Sequence, residues 1–375
     1  MFEMQLIIDL LFYTFLVAVS IQFLYQLIVF MPLSLSKIKN ENSQEIPVSV
    51  VITTKNQLDD LKINLPKYLQ QEYSVFEVVV VNDASWDGTD DYLDMMEAKH
   101  PNLKVVSNKF QDNDRFSKGL KFALTLGIKS ASYDCLLFSD ADSYPNSPKW
   151  IQSMQSSFST KKQLVLASSR LEKGKGLLNR LRRFESLSEA LLGLSFAKMG
   201  KAIYADKRNI AFQRDLFFSV NGFFSHLDTG HGQAELFVSE ASKNSNIAIC
   251  LNPEALTLRN AKSTLVDWFR EKRAYYSIAN RMKFSSKLVL GLQSSSLLLF
   301  WALFIPLIIL DIHLELILAF VALRFLLQYI VYWGMAKKVA EKNLFWAFPF
   351  FELCLLIIHP IIYLSTSIKK VSKWD

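Results

Sequence analysis

Unbroken apolar runs mark both ends of the chain, while the middle alternates short apolar runs with polar stretches. Leu6 to Phe30 is apolar apart from Asp9 and a few hydroxyls and glutamines. It is long enough to cross about 30 Å of hydrocarbon. No basic residue precedes it and no small-residue cleavage site follows it, so it reads as a span and not as a signal peptide. Leu288–Leu310 and Leu314–Trp333 are two more spans. Only Asp311, Ile312 and His313 separate them, which predicts a tight hairpin. The last run, Leu344–Ile368, contains Pro349, Glu352, His359 and Pro360. It is expected to be re-entrant or interfacial, with a further full span as the alternative. Glu352 and Arg324 are expected to pair, since charges inside a membrane are tolerated in pairs.

Between these regions lies a stretch of ordinary polar composition. The expected organisation is an anchor over 1–33, a working domain over 34–287 and a second membrane region over 288–375. Lys37 and Lys39 follow the first span, and Lys337, Lys338 and Lys342 follow the hairpin. By the positive-inside rule these ends, and the working domain with them, face the cytosol of an inner membrane. Lys369, Lys370 and Lys373 place the tail there too.

The middle stretch reads as alternating strands and helices. "VSVVITT" (48–54), "FEVVVVND" (76–83), "LKVVSN" (103–108) and "YDCLLFSDAD" (133–142) are strands by their β-branched and apolar runs. The segments following the first three carry helical spacing, as at Leu58, Leu61, Leu65 and Leu69 or Leu120, Ala123, Leu124 and Ile128. Strand–helix alternation predicts an α/β fold with a mostly parallel sheet, helices on both faces, and ligands beyond the C-terminal strand ends.

Composition narrows the function. The 375 residues are 51% hydrophobic and carry a net charge of +7. No aromatic–basic repeat or zinc-finger spacing accompanies that charge, so it suits a lipid surface or anionic ligands and excludes nucleic acid. Cys135, Cys250 and Cys354 stand apart in apolar stretches and read as buried, reduced thiols. The candidate chemistry lies where strands end. Asp83 closes the second strand, and Asp140 and Asp142 close the fourth. All three fall on one rim of the sheet. Two like charges this close need a cation or well-placed donors, and a hard cation such as Mg²⁺ or Mn²⁺ takes oxygen ligands plus substrate phosphates.

With these elements in place, the chain resembles the family 2 glycosyltransferases of GT-A fold, in their bacterial membrane-anchored form. The matching segments are "VSVVITTKN", "VVVVNDASWDGT", "SKGLKFALTLGIKSA", "LLFSDADS", "KRNIAFQRDLFFSVNGF" and "WFREKR". The resemblance implies a metal-dependent, inverting, hexosyltransferase-like enzyme with a nucleotide-sugar donor and an envelope glycan or lipid-linked acceptor. It implies that Thr53, Thr54, Asn56 and Asp83 line the nucleoside pocket. Asp140 would lie near ribose and sugar, Asp142 would ligate the metal, and Arg208 and Asn209 would approach the donor sugar. Arg273 would contact the diphosphate, and Arg270 less so. Lys118 would approach phosphate.

Two positions depart from the family pattern. Asn56 is followed by Gln57 where relatives have Glu. In "TGHGQAELF", Ala234 falls where relatives carry the catalytic acid. Glu235 is the expected substitute base, with His231 and Asp228 as competitors. The contrasting expectation is a glycosyltransferase-like protein without catalysis, which binds nucleotide-sugar or scaffolds a glycan-assembly complex.

Overall fold

The computed structural model describes residues 2–38, 44–108, 119–260 and 264–368. Lys118 and the basic tail Lys369 to Lys373 lie outside the described residues. The chain divides into two compact units, Met1–Ser36 with Met282–Ile361, and Lys37–Arg281 with Ile362–Asp375.

The larger unit is built on strands β1 (Val48–Thr54), β2 (Phe76–Asn82), β3 (Leu103–Ser107) and β4 (Cys135–Asp140). These four run parallel, as expected. Shorter strands follow: β5 (Ser143–Pro145), β6 (Leu164–Leu166), β7 (Ser169–Leu171), β8 (Ile210–Gln213), β9 (Ile247–Ile249) and β10 (Thr257–Arg259). The main sheet has the order β3-β2-β1-β4-β8-β6-β9, with β8 antiparallel to β4 and β6. A second sheet, β5-β10-β7, adjoins the end of β4 in sequence.

Every residue of β1 is buried. A strand covered on both faces needs a continuous apolar run and not alternation. Val48, Val50 and Ile52 pack with Leu61, Leu65 and Tyr68 of the helix Leu58–Leu69. Val51 and Val81 point the other way, to the helix Leu120–Ser130, where Gly127 sits on them. A Cβ at Gly127 would come within 2.6 Å of Val51 Cγ1 and 2.9 Å of Val81 Cγ2, so only glycine permits this approach. The three cysteines are free; Cys135 and Cys250 are buried as expected, while Cys354 is partly exposed.

The smaller unit contains helices long and apolar enough to cross a membrane: Glu3–Ser34, Phe284–Ile309, Leu314–Lys338 and Phe348–Thr366. The first includes a widened turn at Tyr25–Phe30. Asp311 and His313 turn the hairpin with positive φ angles of 53° and 45°. The last segment, left between two forms by its sequence, is one helix, Phe348–Ile368, which carries Pro360 within it.

The expected charge pair is present. Arg324 Nη2 donates to Glu352 Oε1 at 2.7 Å. Gln328 bonds both partners, and Trp301 Nε1 donates to Glu352 Oε1 at 3.2 Å. Arg324 is fully buried, with its guanidinium 4.5 Å from the Phe300 ring centre. Removing one member strands the other charge, which costs about 3–5 kcal/mol, whereas an apolar pair of similar volume is near neutral. Glu352→Leu is therefore expected to lower the melting temperature in detergent, and Arg324→Met with Glu352→Leu to recover most of the loss. Equal losses in the single and double variants would show that the pair does not act as a pair.

Candidate active site

The C-terminal ends of β1, β2 and β4 open onto a cleft of about 870 Å³. Thr53, Thr54, Asn56 and Asp83 line it, as do Asp140 and Asp142. Parallel pairing brings them together, since Thr53 lies beside Asp140 and Thr54 beside Asn82. Asn56 adopts φ 51°, a left-handed conformation that asparagine tolerates better than most residues. Its backbone N–H donates to Ser85 Oγ and its Oδ1 accepts from Trp86 N–H, each at 2.9 Å, which ties the loops after β1 and β2. Asp83 is buried and accepts from Asn108 Nδ2 at 2.7 Å, with Lys55 Nζ 3.4 Å away.

Antiparallel pairing of β4 with β8 supplies the cations that Asp140 and Asp142 require. Phe138 pairs with Ile210, so the residues just before β8 run alongside the end of β4. Lys207 bonds Asp140. Arg208 grips Asp142 with two parallel bonds, Nε to Oδ1 at 2.8 Å and Nη2 to Oδ2 at 2.7 Å. Burial pushes the Asp142 carboxyl up, but the charge and hydrogen bonds of Arg208 outweigh it and hold the group at about 2. The turn is braced from below. Ser139 Oγ donates to the Arg208 carbonyl at 3.0 Å, and Ser143 Oγ to the Asp140 carbonyl at 2.9 Å.

Asn209 corrects an expectation. It lies outside the cleft lining and is 1% exposed. Its Nδ2 donates to the carbonyls of Ser168 and Ala255 at 2.7 Å, and its Oδ1 accepts from Trp150 Nε1 at 3.1 Å. All its polar capacity serves the core, so it joins strands and does not reach a ligand.

The helix Leu265–Ser277 begins with a reciprocal cap between Thr264 and Asp267. Asp267, Arg270, Glu271 and Ala274 recur at helical spacing along the cleft. Arg273 lies outside that lining, while the less favoured Arg270 is exposed on it. Of the two arginines, Arg270 is thus the one set on the cleft.

The helix Gln233–Ala241 starts after Gly232, whose φ is 80°. Glu235 lines the cleft. Ala234, 4% exposed, instead lines a small apolar hollow with Leu124, Phe138, Phe212 and Phe237. An acid at 234 in this register would face that hollow, which Thr53, Asp140 and Lys207 also border, whereas Glu235 lines the larger cleft with Asp140 and Asp142. Burial pushes the Glu235 carboxyl up to about 7, with Asp206 adding to the rise and Lys207 opposing it. His231 also lines the cleft, but Asp228 does not and is paired with Arg281.

Several cleft residues were missed by sequence reasoning. Lys207 could have been found beside Arg208 only by reading β8 as antiparallel to β4. Arg182, Glu189 and Arg259 come from elements whose facing is set by tertiary packing. Lys121 is a buried amine that donates to the His226 carbonyl at 2.6 Å and to Thr229 O and Oγ1 at 2.9 and 2.5 Å. It pins the loop leading to Glu235.

Asp140 and Asp142 could hold a divalent cation. They offer hard oxygen donors, and one or two carboxylates plus substrate phosphates are a usual set for Mg²⁺. No group of three metal-ligating side chains occurs among the described residues, so the ligand would have to complete the set. Arg208 would have to share Asp142 or release it.

Residues 49–222 match the sequence model of the family described as Glycosyl transferase family 2. The chain is 30% identical over 105 residues to a poly-beta-1,6-N-acetyl-D-glucosamine synthase of Staphylococcus epidermidis, covering 28% of this chain and 24% of that one. It is 30% identical over 130 residues to an undecaprenyl-phosphate mannosyltransferase of Micrococcus luteus, covering 34% and 50%. The match thus spans 24% of one of these relatives and 50% of the other. Among solved structures, a mannosyltransferase from Pyrobaculum calidifontis, in complex with GDP-Man and Mn²⁺, superposes with a TM-score of 0.59 at 17% identity. That match covers 89% of this chain and 98% of the other, and at this identity it concerns the fold.

Asn209 and Asp83 should separate stability from binding. Asn209→Ala leaves three buried partners unsatisfied, which costs about 3 kcal/mol or more. It is expected to lower the melting temperature while the folded fraction binds nucleotide normally. Asp83→Ala should do the opposite. Thermal unfolding and nucleotide titration of both variants check this, and lost binding in a fully stable Asn209→Ala protein would contradict it.

Proposed function

The chain carries a family 2 glycosyltransferase domain of GT-A fold, and from that premise we propose that it is a membrane-anchored, inverting enzyme. It moves a sugar from a nucleoside-diphosphate sugar to an envelope glycan or lipid-linked acceptor. The observation that carries catalysis is Glu235. It alone of residues 233–235 is an acid, it faces the cleft shared with Asp140 and Asp142, and its pKa of about 7 suits a base near neutral pH.

In this reading Thr53, Asn56 and Asp83 hold the nucleoside end. Lys207 and Arg208 orient the diphosphate beside Asp140 and Asp142. Mg²⁺ or Mn²⁺ held by Asp142 would offset the charge that gathers on the departing diphosphate. Glu235 takes the proton of the acceptor hydroxyl as its oxygen bonds the anomeric carbon. The bond from that carbon to the diphosphate breaks on the opposite face, which inverts the centre. Nucleotide sugars are cytosolic, and Lys37, Lys337 and Lys342 at the ends of the apolar helices favour that side for the domain.

Ala234 favours a second reading, a domain that binds nucleotide-sugar without turning it over. Purified protein incubated with a panel of nucleotide-sugars and Mn²⁺ distinguishes the two. Release of nucleoside diphosphate supports the enzyme, and a thermal shift without release supports the binder.

A base must be ionised to work, so the rate is expected to rise with pH through about 7 and level off above it. Glu235→Gln is expected to cut turnover by about 100-fold or more with donor binding intact. Full activity in Glu235→Gln, or a rate flat from pH 5 to pH 9, about two units either side of that value, would remove Glu235 from the mechanism.

A further inference from the structure

Two phenylalanine pairs in the larger unit divide in the same way. Phe217 and Phe223 are buried, while their neighbours Phe218 and Phe224 are exposed. The inner rings pack on Phe212 of β8 and Phe237 of the helix Gln233–Ala241. Between ring centres, Phe217 lies 6.0 Å from Phe212 and 5.1 Å from Phe223, and Phe223 lies 6.1 Å from Phe237. Gly222 turns the chain between the pairs with φ 59°, and a Cβ there would come within 2.6 Å of the Phe217 ring. The space beneath the loop is filled, so the outer rings are held out and cannot fold inward.

Phe224 opens a short 3-10 turn, Phe224–His226, which ends at Leu227. Residues three apart in such a turn stand one above the other. Phe224 and Leu227 therefore share its outer face, and His226 between them is buried. The Asn221 N–H donates to the Phe218 carbonyl at 3.0 Å and the Phe224 N–H to the Asn221 carbonyl at 3.1 Å, which keeps Phe218 one turn away. Phe224 is 76% exposed, Leu227 48% and Phe218 46%. Exposed apolar side chains standing singly are ordinary, but three held out from one short loop mark a surface that meets something apolar.

The course of the chain says what that is. Asp228, next to Leu227, pairs with Arg281. Gly232, further along the same loop, sits on Ile278, where a Cβ would come within 2.9 Å of Cγ2. The loop is thus fastened at two points to the segment Ile278–Arg281. Phe284, three residues after Arg281, begins the apolar helix Phe284–Ile309, which is long enough to cross a membrane. Three residues span at most about 11 Å of extended chain. Lys283 and Lys287 flank the start of that helix, where anionic headgroups favour basic residues.

We propose that Phe218, Phe224 and Leu227 form a lipid-docking surface that dips into the headgroup and upper acyl zone of the bilayer. This rests on the membrane-crossing reading of the helix Phe284–Ile309. A surface fastened this close to the chain's entry into a bilayer meets headgroups and acyl ends before it meets another protein. Arg281 neutralises Asp228, so that carboxylate does not oppose an anionic surface. Lys121 ties the carbonyls of His226 and Thr229, on either side of Leu227, to the helix Leu120–Ser130. Docking of the loop therefore holds the Glu235 end of the cleft at the lipid surface and does not leave it to swing on the chain that follows Arg281.

The test uses the full-length protein in nanodiscs of phosphatidylcholine and phosphatidylglycerol. Cys354→Ser removes the partly exposed native thiol, and Phe224→Cys carries a nitrobenzoxadiazole label. Leu227→Cys serves if Phe224→Cys does not reconstitute. Asp91→Cys, on the exposed side of the helix Thr89–Lys99, reports a water-facing site, and Leu298→Cys, exposed on the helix Phe284–Ile309, reports the bilayer. Each label is quenched by nitroxide lipids from within the bilayer and by iodide from water. The label at 224 is expected to be quenched by nitroxide lipid, and several-fold less by iodide than the label at 91. A nitroxide near the headgroup should quench it more than one at the acyl tip, since interfacial side chains sit about 5–10 Å deep. A label at 224 as open to iodide as that at 91, with no lipid quenching, would overturn the proposal. Shielding from iodide without lipid quenching would overturn it too, because protein would then cover the patch. Absence of lipid quenching at 298 would refute the membrane-crossing reading itself, and the docking surface with it. Lipid quenching at 298 but not at 224 would refute the docking surface alone.

Discussion

The cleft is organised by the need to neutralise two carboxylates one residue apart at the end of β4. Asp140 and Asp142 repel each other, and the fold answers with Lys207 and Arg208. Those cations arrive because β8 runs antiparallel to β4 and in register with it. Reverse or slip that pairing and both acids lose their partners. The same register sets Asn209 facing the core, where it joins β8 to the carbonyls of Ser168 and Ala255. One strand pairing thus delivers the charged lip of the cleft and one of the polar ties beneath it.

Around that lip the other walls divide the work. The loops after β1 and β2 are locked by Asn56, Ser85 and Trp86, which gives the Asp83 end a fixed shape. The loop before the helix Gln233–Ala241 is held by Lys121 through the His226 and Thr229 carbonyls and the Thr229 hydroxyl. The helix buries Ala234 over an apolar floor and presents Glu235 to the cleft. Position 235 is half-buried, enough to raise the carboxyl to about 7.

Much of this was legible in the sequence wherever the signal is local. β1, β2 and β4 were marked by β-branched runs, and their ends placed Asp83, Asp140 and Asp142 on one rim. The Arg324–Glu352 pair was legible because two charges in apolar helices have few alternatives to each other. What could not be read depends on long-range pairing. β5, β7 and β10 have three residues each, too few for any periodicity to show. Asn209 was read together with its neighbour Arg208, which does line the cleft, and only the course of the chain into β8 sends the two side chains apart. Arg270 and Arg273 are three residues apart, about 60° short of a full helical turn, so which of them lines the cleft depended on how the helix face met it.

The pairing of Asp142 with Arg208 also makes the account testable at its centre. If Asp142 is the carboxylate that holds a divalent cation against the donor's diphosphate, nucleotide binding must depend on both. The direct measurement is the affinity of the purified protein for UDP and GDP, with and without Mn²⁺, in the unmodified chain and in Asp142→Asn. The account predicts that binding requires the cation, and that Asp142→Asn loses both the cation dependence and most of the affinity, because a neutral amide cannot replace the charge. Unchanged, cation-dependent binding in Asp142→Asn would contradict it.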